Sequence, residues 1–115
     1  MAHRLLIVDD HAGFRSSARR LLELDGFDVV GEAADGREAL ELARIVLPDL
    51  VLLDVALPDA SGFEIAERIS APVVLTSSRD PVDLGRRIDE SCALGFVPKD
   101  RLSGELLRAL LRQTR

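Results

Sequence analysis

The sequence is poor in cysteine and in aromatic residues. Its 115 residues include one cysteine and four phenylalanines, and it has no tryptophan or tyrosine. Cys92 has no second cysteine to pair with, which excludes an intramolecular disulfide and gives no sign of an oxidising compartment. We expect Cys92 to be a small buried apolar side chain. With so few rings, the core must consist mainly of leucine, valine, isoleucine and alanine.

Excess positive charge and long hydrophobic runs are also missing. The formal net charge is −5 at pH 7, which argues against direct binding of nucleic acid, because such a surface needs a basic patch. No uncharged apolar run is long enough to span a bilayer. The first predicted strand begins too early to leave room for a signal peptide. We therefore expect a cytoplasmic protein without a membrane or nucleic-acid contact of its own.

Lysine is nearly absent as well. Of the 15 basic residues, 14 are arginine and one is Lys99. An ammonium is a compact point charge, whereas a guanidinium is a planar fork. A single lysine in a chain that otherwise uses arginine therefore indicates a chemical role at that position.

The hydrophobic pattern alternates between strands and helices, and the length suits one domain with its own core. The five predicted strands cover residues 4–9, 27–33, 49–54, 72–76 and 94–97. Strands that are continuously apolar predict a parallel sheet covered on both faces. Right-handed crossovers favour a doubly wound α/β fold with strand order 2-1-3-4-5. Pro98 supports this order, because it belongs on an edge strand.

Five helices are predicted to follow the strands, the first over about residues 12–24. Three of the helix starts carry residues suited to an N-cap, with capping-box spacing at the first two: Asp35, Ser61 and Asp80. The fifth helix is predicted to begin at about Ser103. The first and last helices each have an apolar face that we expect to be buried: Phe14, Ala18, Leu21 and Leu22, and Leu106, Leu107, Leu110 and Leu111.

Polar residues stand where three of the apolar strands end. Asp9 and Asp10 end the first strand, Asp54 ends the third, and Lys99 follows the fifth. Ligands bind outside the carboxyl ends of such sheets, and clustered carboxylates raise one another's pKa values unless a cation lies among them. Taken without the other residues, Asp9 and Asp10 could simply cap the first helix. Asp54 alone could be a turn residue. Their combination favours a cation-assisted site.

Four segments together resemble the receiver domain of bacterial two-component response regulators. They are Leu6-Ile7-Val8-Asp9-Asp10, residues 52–62 (LLDVALPDASG), Thr76-Ser77-Ser78 and Lys99. The resemblance covers essentially the whole chain. It implies a signalling module that accepts a phosphoryl group from a sensor histidine kinase with the help of Mg²⁺ or Mn²⁺, and that is not a turnover enzyme.

The resemblance also implies individual roles. Asp54 would be the phosphoacceptor. The metal would be held by Asp9, Asp10 and Asp54 and by the backbone carbonyl of Ala56. The phosphate would be contacted by Lys99.

Two strand-end positions would carry the switch that the resemblance implies. Thr76 and Ser77 would contact the phosphate, and Thr76 and Phe96 would be the switch residues. The residues leave the choice between Thr76 and Ser77 open, and Phe96 alone is most simply a core residue. The implied output is a change of the surface formed by helix 4, strand 5 and helix 5, which could also form a homodimer.

Three features depart from the usual receiver pattern. Asp100 follows Lys99 where many receivers have a cis-proline, which puts in doubt how firmly Lys99 is held. The third helix must be short, because only about ten residues separate Gly62 from Pro72. Ala56 and Ser78, at positions that tune hydrolysis, cannot orient an attacking water, which predicts slow self-dephosphorylation.

We expect residues 1–115 to form one receiver domain without an output domain, either alone or as part of a longer regulator. The segments 9–11 and 95–100 are most similar to regulators with a LuxR-type helix-turn-helix. A pseudo-receiver that is not phosphorylated remains an alternative. An aspartyl-phosphate phosphohydrolase is less favoured, because the first strand does not end in Asp-x-Asp.

Overall fold

The structure, a computed structural model, describes residues 2–79 and 81–113, apart from the side chains of Pro81 and Asp83. The strands are β1 (Arg4–Val8), β2 (Asp28–Ala33), β3 (Leu50–Asp54), β4 (Val73–Ser77) and β5 (Gly95–Pro98). The helices are α1 (Ala12–Leu24), α2 (Gly36–Val46), α3 (Gly62–Arg68), α4 (Pro81–Glu90) and α5 (Gly104–Arg112), with a 3₁₀ turn at Lys99–Arg101. Every strand boundary lies within one residue of its prediction.

The five strands form one parallel sheet in the order β2-β1-β3-β4-β5, which confirms the predicted topology. Pro98 lies on the edge strand β5, as predicted. The register places Thr76 opposite Asp54 on one side and opposite Val97 on the other. The polar ends of β3 and β4 are therefore direct neighbours.

Alternation along the strands divides the core between the two faces of the sheet. Leu6 and Val8 pack on the face covered by α2, α3 and α4. Leu5 and Ile7 pack on the face covered by α1 and α5. Both sets are at most 1% exposed, which explains why these strands are apolar without interruption.

The helix starts follow the predicted caps, with one difference. Ser61 and Glu64 form a complete capping box at α3. At α2, Asp35 accepts a hydrogen bond from the Glu38 N–H, but the Glu38 carboxylate accepts from Ala34 instead of from the N-cap residue. Ser103 caps α5. The predicted cap of α4, Asp80, lies outside the described residues.

Three burial predictions were wrong. Leu21 on α1 and Leu106 on α5 are 39% and 42% exposed, because each helix lies on one face of the sheet and buries a narrower stripe that includes Leu22 and Leu107. Cys92 is exposed, because it lies in the loop between α4 and β5 and not on a packed element. No helix in the described part of the chain is long and apolar enough to cross a bilayer.

Helix α3 is short, as predicted. It has 7 residues, which span about 10 Å, whereas the five-residue strand β3 beneath it spans about 17 Å. The helix therefore covers only part of its sheet face. A groove of about 420 Å³ remains beside it, lined by residues that include Leu40, Leu47 and Ile69.

Candidate functional site

The carboxyl end of the sheet brings together the polar residues singled out in the sequence. Asp9 follows β1, Asp54 is the last residue of β3, and Lys99 is the first residue after β5. The Lys99 Nζ atom lies 2.6 Å from Asp9 Oδ2 and 3.3 Å from Asp54 Oδ2. The lysine side chain thus reaches past the end of β4 to join two neighbouring strands.

Asp9 is fully buried. Its Oδ1 atom accepts a hydrogen bond of 2.8 Å from the His11 backbone N–H. Its Oδ2 atom is paired with Lys99 by distance, but the angles do not make a hydrogen bond, and no other described residue supplies one. Burial raises the pKa of Asp9, yet the Lys99 ammonium and the His11 N–H outweigh this and hold the pKa below its ordinary value.

Asp54 is 4% exposed. Its Oδ1 atom accepts from the Ala56 N–H at 3.1 Å. Burial raises the pKa of Asp54, the Ala56 N–H lowers it, and the negative charge of Asp9 raises it again, so that the net shift is upward. Asp54 is therefore the less stabilised of the two buried carboxylates, and a further cation nearby would favour its ionised form.

Lys99 is only partly shielded, with a side chain that is 15% exposed. Burial lowers its pKa, but the Asp9 and Asp54 carboxylates raise it by more, so the net shift is upward. The ammonium thus stays charged near neutral pH. Since Asp9, Asp10 and Asp54 face this one ammonium, the cluster keeps an excess of negative charge.

Asp10 and His11 complete the cluster. The His11 Nδ1 atom lies 3.1 Å from Asp9 Oδ1 and 3.1 Å from Asp10 Oδ1. One ligand atom from each of Asp9, Asp10, His11 and Asp54 lies within 4.8 Å of the others. No role for His11 is predicted from the sequence, in which only its position next to the acidic pair indicates this contact. His11 is also the N-cap of α1 and makes no side-chain cap hydrogen bond, whereas its backbone N–H donates to Asp9.

The donor set fits a hard divalent cation. Mg²⁺ prefers oxygen ligands and commonly takes one or two carboxylates. Such an ion would relieve the excess negative charge, and it would add a second cation beside the buried Asp9 Oδ2 atom, which has an ion pair with Lys99 but no hydrogen bond. Ala56 is exposed in the loop after Asp54, and its carbonyl as a metal ligand stays a prediction.

The hydroxyl residues after β4 differ in their contacts. Thr76 is fully buried, and its Oγ1 donates a hydrogen bond of 2.6 Å to the Val97 carbonyl. Ser77 accepts at Oγ from the Arg79 N–H at 3.0 Å. Phe96 is partly buried and packs against the core beside α2, α3 and α4. The phosphate and switch roles of these residues stay predictions.

Gly62 and Asp59, for which the sequence indicated no structural role, fix the loop after Asp54. A Cβ atom at Gly62 would lie 2.2 Å from the Asp54 carbonyl oxygen, so only glycine fits there. Asp59 accepts from the backbone N–H groups of Gly36 and Arg37, and these two donors lower its pKa. The loop is thereby tied to the start of α2, a contact that no sequence spacing indicates.

Phe14 was expected only to fill the core face of α1. Its ring packs against the core between the sheet and α1 and α5. The Lys99 Nζ atom, however, also lies over this ring, 4.5 Å from its centre. This is within the range of a cation–π contact.

A match to a known protein family identifies the family of this chain. Residues 5–111 match the model of the response regulator receiver domain. The chain belongs to this family. The match covers the five strands apart from Arg4, and most of α5, so the resemblance seen in the sequence is confirmed.

Relatives of this receiver domain are bacterial regulators. The chain is 40% identical over 111 residues to a putative transcriptional regulator of Pseudomonas aeruginosa, covering 92% of this chain and 54% of that protein. It is similar in structure to a LuxR-family two-component response regulator of an Aurantimonas species, with a TM-score of 0.85, 33% identity and coverage of 98% and 85% of the two chains. The receiver domain of the putative response regulator NarL from Mycobacterium tuberculosis has a TM-score of 0.81 and 35% identity, with coverage of 97% and 95%.

The receiver domain described here spans about half the length of the curated relatives that it matches. These relatives carry the names of transcriptional regulators.

Proposed function

We propose that this receiver domain accepts a phosphoryl group on Asp54 from a phosphohistidine of a sensor kinase, in a reaction that depends on Mg²⁺ or Mn²⁺. One observation carries the proposal: a buried carboxylate with a raised pKa lies 3.3 Å from a partly buried ammonium, in a cluster with excess negative charge. Perturbed groups of this kind are concentrated at functional sites.

The metal would be held by Asp9, Asp10 and Asp54 and by the Ala56 carbonyl. When bound, it would neutralise charge on the phosphoryl oxygens as they approach. The buried Asp9 Oδ2 atom supports this assignment, because its one contact among the described residues is the ion pair with Lys99, and a metal ion would give it a second cation.

The chemical step needs positioning more than it needs a base. One Asp54 carboxylate oxygen forms a bond to phosphorus while the bond from phosphorus to the donor imidazole nitrogen breaks. The electron pair of that bond leaves with the nitrogen. Lys99 would then contact a phosphate oxygen, since the new group adds roughly −1.5 to −2 charge.

Thr76 is our choice for the switch hydroxyl, with Ser77 as a further phosphate contact. The Thr76 hydroxyl donates to the Val97 carbonyl, so turning it toward a phosphate oxygen would release that carbonyl next to Phe96. The site would thus act on β5 and alter the surface of α4, β5 and α5. That surface would control a partner, an output domain or a homodimer.

The decisive experiment is incubation with acetyl phosphate and Mg²⁺, followed by intact-mass measurement. We expect a phosphate-sized gain for the wild type and for Asp49→Ala, a control acid at the other end of the sheet, and none for Asp54→Ala. A gain in Asp54→Ala would show that another acid is the acceptor. No gain in any variant would favour the pseudo-receiver, and continuing consumption of the donor would favour a phosphohydrolase. After removal of the donor we expect slow loss of the phosphate, and a half-life of seconds would contradict this.

Thr76→Ala tests the switch separately. We expect it to gain phosphate as the wild type does, because Asp54 and Lys99 are unchanged. The amide NMR shifts of α4, β5 and α5 should then respond little to phosphorylation, whereas those of the wild type should move. A full response in Thr76→Ala would contradict the role of this hydroxyl.

For the whole protein, we propose control of transcription through a DNA-binding output of the LuxR type outside this chain, in the cytoplasm. The support is that its curated relatives are transcriptional regulators about twice its length. DNA binding by the full-length protein that responds to phosphorylation would test this.

A further inference from the structure

Lys99 has little backbone support for its position. It follows the edge strand β5 and begins a 3₁₀ turn of three residues. All peptide bonds in the described part of the chain are trans, including the one between Lys99 and Asp100. A long flexible side chain at such a position needs contacts near its charged end if it is to stay at one place.

The ammonium of Lys99 has three such contacts. Asp9 Oδ2 lies at 2.6 Å, Asp54 Oδ2 at 3.3 Å and the centre of the Phe14 ring at 4.5 Å. The two carboxylates are also the groups that a metal and a phosphoryl group would engage. The ring is the one of these three contacts that the proposed reaction leaves unchanged.

We propose that Phe14 is a positioning residue for Lys99, whose ring face holds the ammonium between Asp9 and Asp54. The ring is itself fixed, because it packs against the core between the sheet and α1 and α5. A cation over a ring face is attracted without forming a directed hydrogen bond. The ring contact therefore uses none of the hydrogen-bond donors of the ammonium. The consequence for phosphorylation rests on the proposed function, but the placement of Lys99 does not.

The absence of any other lysine makes the placement directly measurable. Lysine labelled with ¹³C gives one set of side-chain NMR signals, because Lys99 is the only lysine of the chain. Protons beside the ammonium lie over the ring face and are shielded by its ring current. We expect upfield Lys99 Hε signals in the unphosphorylated wild type without added metal.

Two changes remove the attraction between the ring face and the ammonium while keeping the side chain apolar. Phe14→Leu replaces the ring by a smaller apolar side chain, a large-to-small change that costs some stability. Site-specific replacement of Phe14 by pentafluorophenylalanine keeps the ring shape but reverses its charge distribution, so it serves where the leucine variant folds poorly. Phe27→Leu is the matched control, because Phe27 also carries a cation over its ring, Arg108 at 4.9 Å, but packs at the other end of β2 from the site.

The expected results differ between these proteins. The Lys99 Hε signals should lose their upfield shift in Phe14→Leu and should move in the pentafluoro protein. Phosphorylation by acetyl phosphate should slow by roughly fivefold in both, which is about 1 kcal/mol at 1.36 kcal/mol per factor of ten. Phe27→Leu should match the wild type in both measurements.

Unchanged Lys99 signals in Phe14→Leu, or a wild-type rate in the pentafluoro protein, would overturn the proposal. If no protein of the set is phosphorylated, the proposed function fails, while the NMR comparison still decides whether Phe14 places Lys99.

Discussion

The two ends of the sheet use the same residue type for opposite purposes. At the amino end, Asp49 accepts from the Arg4 N–H and Asp25 accepts from the Gly104 N–H, each at 2.8 Å. Both of these acids are exposed. At the carboxyl end, Asp9 and Asp54 are buried and share one ammonium.

The difference shows what each end is built to do. An exposed carboxylate that accepts from a backbone N–H joins two segments of the chain at little cost. Buried carboxylates that share a single cation cost free energy, because they are desolvated and repel each other. The amino end therefore stabilises the fold, whereas the carboxyl end keeps an excess of negative charge that a further cation would relieve.

Removing the shared cation should have the largest effect on stability. Lys99→Met leaves Asp9 and Asp54 without their ammonium. We expect the free energy of unfolding at pH 7 to fall by about 2 kcal/mol, less than for a fully buried pair, because Lys99 is partly exposed. Mg²⁺ should restore more stability in this variant than in the wild type, since it would meet less positive charge. Urea unfolding with and without Mg²⁺ measures both effects.

Arg44→Met is the matched control for that experiment. It also removes one positive charge, but Arg44 is exposed on α2 and has no ion pair among the described residues. Its unfolding free energy should stay within about 0.5 kcal/mol of the wild type and should not gain sensitivity to Mg²⁺. Equal losses of unfolding free energy in Lys99→Met and Arg44→Met would mean that the carboxyl end of the sheet has no excess of negative charge that depends on Lys99.

The sequence predicted the charged part of this site well, for a physical reason. Charged residues rarely lie inside buried strands, so Asp9, Asp54 and Lys99 mark the points where the apolar strands end. Parallel topology then brings those ends to one edge of the sheet. The positions of these residues at the strand ends, together with the strand order, were enough to predict that the three side chains lie together.

Contacts that depend on helix packing could not be predicted in the same way. The Phe14 ring meets Lys99 because α1 lies at a particular angle and height on the sheet. Asp59 reaches the start of α2 across a distance of more than twenty residues in the chain. Leu21 and Leu106 fit an apolar helix face by spacing, yet the width of the buried stripe depends on how the helix is tilted.

Neutralising one buried acid should stabilise the protein. In Asp54→Asn the desolvated charge and its repulsion with Asp9 are gone. We expect a gain of about 1 kcal/mol at pH 7 without Mg²⁺. The folded-state pKa of Asp54 is raised above the ordinary 3.8. Below pH 3.8 the carboxyl is protonated in both the folded and the unfolded wild type and does not destabilise the fold. As the pH rises through the folded-state pKa, the carboxylate ionises in its buried position and the wild type loses stability. The gain of the variant should therefore vanish near pH 3.8 and below.

Thermal unfolding as a function of pH measures this gain, and Asp49→Asn provides the contrast at the amino end. That exposed acid has a backbone partner, so the same substitution there should not stabilise. Added Mg²⁺ should narrow the gap between the wild type and Asp54→Asn, because the ion would compensate the charge in the wild type. A gain that persists unchanged at pH 3 would rule out an electrostatic origin.

The smallest expected effect is at the amino end. Asp25→Ala removes the acceptor for the Gly104 N–H, which joins the end of α1 to the start of α5. A Cβ atom at Gly104 would lie 2.5 Å from the Asp25 Cβ, so the two segments are in close contact. We expect a loss of roughly 0.5 to 1 kcal/mol, with no dependence on Mg²⁺. Asp25→Asn keeps an oxygen that can accept and should recover most of the loss in urea unfolding. If Asp25→Ala instead became sensitive to Mg²⁺, the two ends of the sheet would not be independent.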